Sequence, residues 1–146
     1  MTGLTTPRDL LKAVNKAYPE WDHFIQLDDV VFDKPELYLH NLCNSRIKIK
    51  AKDTSVHFKN EGVVFYNRLR LDYYLKDIRI PGNKGDYANT HQVVDALVEA
   101  YGFDFSSDEF TFAQVDVNES TVSLKSLDSS IAFFTNFPAT LSYMGF

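Results

Sequence analysis

The chain has 146 residues, 45% apolar and 24% charged, with a net charge of −5. That fits a globular protein of one domain or two very small ones, able to bury roughly 70% of its unfolded surface, and it excludes a disordered tail and argues against a dedicated nucleic-acid binder. No run approaches the ~20 apolar residues of a membrane-spanning helix, the start MTGLTTPRDLL lacks the basic-then-apolar order of a signal peptide, and one cysteine, Cys43, leaves no internal disulfide and no zinc framework.

In chain order, Thr6 reads as an N-cap, with Pro7 at the first helical position and Asp9 completing a box-like pattern. Leu10, Leu11, Val14, Ala17 and Tyr18 form one apolar face, and Pro19 stops the helix. Val30–Phe32 is a short strand. His40 and Cys43 fall in a loop. Arg46–Lys52 alternates strictly, with Ile47, Ile49 and Ala51 on one face and Arg46, Lys48, Lys50 and Lys52 on the other. Asp53–Ser55 is a hairpin turn. Val63–Leu71 reads as one longer strand, with Val63, Phe65, Leu69 and Leu71 on one face and Tyr66, Arg68 and Arg70 on the other. Asp77–Pro81 gives a further short strand before the loop Gly82–Tyr87. A second helix starts near Asn89 or Thr90, with Gln92 set for a capping box. It carries Val93, Val94, Leu97, Ala100 and Tyr101 on its face and ends at Gly102. Phe110–Phe112 and Thr121–Lys125 are strands, Asp128–Ser130 is a turn, and Thr140–Tyr143 is the last strand.

The second half echoes the first. LLKAVNKAY (Leu10–Tyr18) aligns with VVDALVEAY (Val93–Tyr101) at an offset of 83, DDVVF (Asp28–Phe32) with DEFTF (Asp108–Phe112) at 80, and SRIKIKAKDTSVHF (Ser45–Phe58) with STVSLKSLDSSIAF (Ser120–Phe133) at 75. Three blocks in one order predict an internal repeat. The expected class is α+β: two degenerate copies of a helix followed by a small antiparallel sheet, over residues 1–81 and 82–146, sharing one core or packing separately.

Site chemistry is sparse. The acid pairs Asp28-Asp29 and Asp108-Glu109 would suit a hard cation or acid/base work, but each precedes an apolar strand, which fits a turn better. None of the four histidines (His23, His40, His57 and His91) is paired at the i, i+4 spacing of a helical metal site, and the six glycines form no phosphate loop. No enzyme activity, cofactor or metal is expected. Residues 1–85 hold 14 of the 15 Lys and Arg against 11 acids, and residues 86–146 hold one base, Lys125, against nine acids. The bland reading of that split is solubility, and the sharper one is head-to-tail contact between copies or docking on a basic neighbour.

Two candidate contact surfaces follow. One is the basic comb Arg46, Lys48, Lys50 and Lys52, joined by Arg68 and Arg70, which could meet phosphates with Tyr66 available to stack, or equally an acidic protein face. Its bland reading is a solvated face guarded by lysines. The other is the uncharged ending IAFFTNFPATLSYMGF, in which Phe137, Tyr143, Met144 and Phe146 are candidate anchors.

The run VVFYNRLRL (Val63–Leu71), preceded by a strand–turn–strand ending in SVHF, resembles a module of virion structural proteins of large tailed bacteriophages. The second-half pattern AYGFDFSSDEF followed by TVSLKSLDSSIAFF is similar to the same module. Lys59-Asn60 and Thr135-Asn136 stand where related modules carry a glycine. The resemblance implies a repeated helix-plus-sheet fold and a non-enzymatic capsid, neck or tail component. Such a protein would be assembled in the host cytoplasm into the virion and held by other virion proteins or by copies of itself, with no membrane and no nucleic-acid partner. The alternative is a small acidic soluble binding protein, such as an immunity or inhibitor protein.

Overall fold

The computed structural model describes residues 4–17, 25–55, 59 and 61–145. The fold is α+β, with helices and mainly antiparallel sheets. It divides into two compact units, Thr5–Arg68 and Leu69–Phe146, the latter also taking in Met1–Leu4. The division falls between Arg68 and Leu69. The reason is pairing: residues 69–80 hydrogen-bond to the chain near Phe133 and Tyr143.

In the unit Thr5–Arg68, helix α1 spans Pro7–Ala17. The Thr6 hydroxyl accepts from the Asp9 N–H at 3.2 Å, and the Asp9 carboxylate accepts from the Thr6 N–H at 3.0 Å, which closes the expected box. Leu10 and Leu11 are buried, but Ala17 is exposed, and Tyr18 and Pro19 lie outside the described residues. A 3-10 turn at Leu27–Asp29 leads into β1 (Val30–Phe32). β2 (Glu36–His40), β3 (Cys43–Ala51) and β4 (Glu61–Tyr66) follow. β3 is the spine. β4 runs antiparallel along one side of it, while β1 and β2 follow one another along the other. Ser45, Ile47 and Ile49 point inward and are buried, as the alternation predicts.

In the other unit, β5 (Leu69–Arg70) runs into the short helix α2 (Leu71–Tyr74). Helix α3 is Thr90–Tyr101. Asn89 caps its start, accepting from the Gln92 N–H at 3.0 Å, and Gly102 closes it at φ +71, a conformation that suits a residue without a Cβ. After a 3-10 turn at Ser107–Glu109 come β6 (Thr121–Leu124), β7 (Phe133–Phe134) and β8 (Ala139–Ser142). β6 pairs antiparallel with β8, and β5 pairs parallel with β7. Val93, Val94 and Leu97 of α3 meet Leu71, Leu75, Ile80, Phe110, Leu124, Phe133 and Leu141 in one apolar core.

Several local bonds recur at the sequence offsets. The cap Thr6–Asp9 returns as Asn89–Gln92. The Gln26–Asp29 box of the first 3-10 turn returns as Ser106–Glu109. The pairing Val30↔Ala51 returns as Phe110↔Ser126, and the turn bond Ser55 N–H to Lys52 C=O returns as Ser130 N–H to Leu127 C=O, both 3.0 Å. The β3–β4 register Arg46↔Phe65 through Ile49↔Gly62 has the form of Thr121↔Ser142 through Leu124↔Ala139.

The expected single strand Val63–Leu71 is two strands in different sheets. Asn44 causes the break. Its side chain donates to the Arg68 carbonyl at 3.0 Å and accepts from the Arg68 N–H at 2.8 Å, occupying the backbone groups a continuing strand would use. β2 has no expected strand behind it, and its last residue, His40, stands where a loop is expected.

Candidate interaction surface

The outer face of the β3 sheet carries the basic comb. Residues directly opposite in an antiparallel pair share a face. Arg46 therefore lies beside Phe65 and Glu36, Lys48 beside Val63, and Lys50 beside Glu61 and Val31. Three of the comb's cations have an acid: Arg46 to Glu36 at 2.8 Å, Lys48 to Glu61 at 3.5 Å, and Lys50 to Asp33 at 3.3 Å. The Arg46 guanidinium also sits 4.2 Å above the Tyr38 ring. A carboxylate thus stands beside each of these three cations.

Arg68 and Arg70 do not join the comb. Arg68 is buried, and its Nε donates to the Ser45 hydroxyl at 2.7 Å on the inner side, where burial pulls its pKa down. Tyr66 is buried too, so it is no stacking platform. Burial raises its pKa, and the hydroxyl has no hydrogen-bond partner among the described residues. Arg70 belongs to the other unit. It is held by both oxygens of Asp72, at 3.1 and 2.7 Å, and lies over the rings of Tyr73 and Phe137. Those bonds raise the Arg70 pKa and lower that of Asp72.

Of the C-terminal anchors, Tyr143 is core. It is 4% exposed, its hydroxyl is also without a partner among the described residues, and its backbone pairs with Ile80. It cannot face a partner as expected, because the chain past β8 continues into the sheet rather than leaving it. Phe137 is half-buried beneath Arg70 and against Phe134. Met144 is half exposed. Phe146 lies outside the described residues, as do His23, His57 and Phe58.

The acid pairs are used locally. Asp29 and Glu109 accept the N–H of Gln26 and Ser106 and so cap the two 3-10 turns. Burial raises the Glu109 pKa, only partly offset by the bond to Ser106. His91 Nε2 lies 2.9 Å from the Phe110 carbonyl. His40 and Cys43 are strand residues facing each other across a turn, not a loop pair. Among the described residues no group of three or more His, Cys, Asp or Glu is placed to hold a metal, and no helix is long and apolar enough to cross a membrane.

The surface that sequence reasoning missed is the β2–β3 hairpin. Every residue of β2 is exposed, and Leu37, Leu39 and Leu42 are 70%, 81% and 99% exposed. The turn residues Asn41 and Leu42 both have positive φ, +46 and +69, the pattern of a type I′ turn. On the outer face His40 lies 4.4 Å from the Phe65 ring and Tyr38 lies 5.7 Å from it. The available signal was the alternation of ELYLH beside an Asn that tolerates positive φ.

No curated protein matches the chain, and no solved structure matches it. One family model does, over residues 2–141, a family of unknown function. The chain therefore belongs to the family of unknown function DUF7941.

Proposed function

We propose that this chain is a non-enzymatic structural component of a bacteriophage virion, acting through protein–protein contacts, and that its two units are degenerate copies of one helix-and-sheet module. The observation that carries the contact role is the β2–β3 hairpin. It presents three leucines at 70% exposure or more beside an open strand edge. Folded proteins normally blunt such edges, and one kept open and apolar suits pairing with another chain. The virion assignment draws its support from the resemblance of Val63–Leu71 and its neighbours. The copy assignment draws it from the caps, turns and registers that recur between the units.

The test is particle composition. Phage particles purified from infected cells contain the chain, by mass spectrometry, at stoichiometric level. The variant Leu39→Asp, Leu42→Asp stays folded, because both side chains are in solvent, yet is depleted from particles at least tenfold. A chain confined to the soluble fraction overturns the virion reading in favour of the small acidic binding protein.

A further inference from the structure

β3 takes one side of β2, and none of the described strands takes the other. That side offers a row of backbone N–H and C=O groups to a second chain. The sequence of β2, Glu-Leu-Tyr-Leu-His, is self-complementary about its middle residue. Laid antiparallel on a second copy with Tyr38 on the twofold axis, Leu37 faces Leu39 and Glu36 faces His40. Apolar meets apolar, and a carboxylate meets an imidazole. The Asn41 amide nitrogen lies 3.2 Å from His40 Nε2 and donates to it. Nδ1 is left to meet an acid.

The β2–β3 register slips by one residue between Leu37 and His40, yet Glu36 lies on Arg46 and both Tyr38 and His40 lie against the Phe65 ring, so these three share the outer face. Leu37 and Leu39 of both copies form a four-leucine cluster on one face. Glu36, Tyr38 and His40 line the other. A one-residue slip would lay the leucines of one copy against the aromatic face of its partner, so the register is specified. An interface between copies related by a twofold axis must be self-complementary in this way.

We propose that the chain pairs with a second copy of itself through β2, antiparallel and centred on Tyr38, so that one sheet runs across the twofold axis. This deepens the contact role proposed above by naming the partner of the same strand. A five-residue strand is about 17 Å long. The contact is therefore small and the dimer weak.

Sedimentation equilibrium on the full chain, from about 1 to 500 μM, tests this. The mass is expected to rise from 16.8 kDa towards twice that value. The doubly substituted Leu37→Lys, Leu39→Lys chain places lysine opposite lysine and stays monomeric, with an unchanged circular dichroism spectrum. The Leu37→Glu, Leu39→Glu chain behaves alike, and mixing the two restores a heterodimer. Oxidation cross-links Tyr38→Cys in a Cys43→Ser background, while Leu42→Cys in that background stays uncross-linked. A wild-type chain that is monomeric throughout, or a dimer indifferent to the lysines, overturns the pairing. Cross-linking through residue 42 and not 38 overturns the register. A solution monomer that still enters particles overturns this proposal and leaves the virion reading standing.

Discussion

Leu42 shows what one residue costs and what it offers. A leucine at φ +69 lacks the freedom of glycine, and its side chain is fully exposed and gains nothing by burial. The preferred pair for this turn is Asn-Gly, and Asn41 is already in place. Leu42→Gly is therefore expected to raise unfolding free energy by about 1 kcal/mol in thermal or urea melts, whereas a loss would show that Leu42 packs on the folded chain. Tyr66 and Tyr143 make a second case. Their buried hydroxyls have no partner among the described residues, so Tyr66→Phe and Tyr143→Phe are each expected to stabilise by about 1 kcal/mol or less. Glu109 makes a third. Its folded pKa is raised by burial, so the carboxyl favours the fold at acid pH, and that contribution disappears as pH rises through the folded value. Glu109→Gln keeps an acceptor for the Ser106 N–H. Its stability relative to wild type should improve from pH 4 to pH 7, and a flat difference would remove the burial argument. None of these side-chain states was legible in the sequence. Burial of Tyr143 depends on where the chain past β8 goes, which composition cannot give.

Elements were more legible where local chemistry decides them. Both long helices begin at the residues that Thr6 and Asn89 mark, and α3 ends at Gly102. Replacing either cap by alanine is expected to cost about 1 kcal/mol, measurable as a lower urea midpoint at unchanged slope. A null result for Asn89→Ala would mean the helix start is held by tertiary contacts alone. β3 was legible because its alternation is strict. Val63–Leu71 has the pattern of one strand, but the interruption comes from Asn44, more than twenty residues upstream. The comb's neighbours are decided separately. Register sets which residues share its face, and Val63 and Phe65 do, while Tyr66 and Arg68 lie inside.

At the scale of the molecule, the charge asymmetry softens once the compact units are known. Thr5–Arg68 carries ten Lys and Arg against nine acids, and the remaining chain five against eleven. The first unit is thus nearly neutral, and Arg46, Lys48 and Lys50 are engaged with Glu36, Glu61 and Asp33. Association through opposed charges would weaken steeply with salt, whereas association through leucines would not. The dimer is accordingly expected to keep its dissociation constant within about threefold between 0.05 and 1 M sodium chloride, and a collapse at high salt would point back to charge. The parallel pair Leu69↔Phe133 has a further consequence, for synthesis. In the unit Thr5–Arg68, each strand pairs with one close by in sequence, so its sheet can close as soon as it leaves the ribosome. Leu69 must wait until Phe133 is translated, and such distant closures are slow. A chain in synthesis therefore holds a first unit able to close and a second one that stays open until Phe133 and β8 are translated.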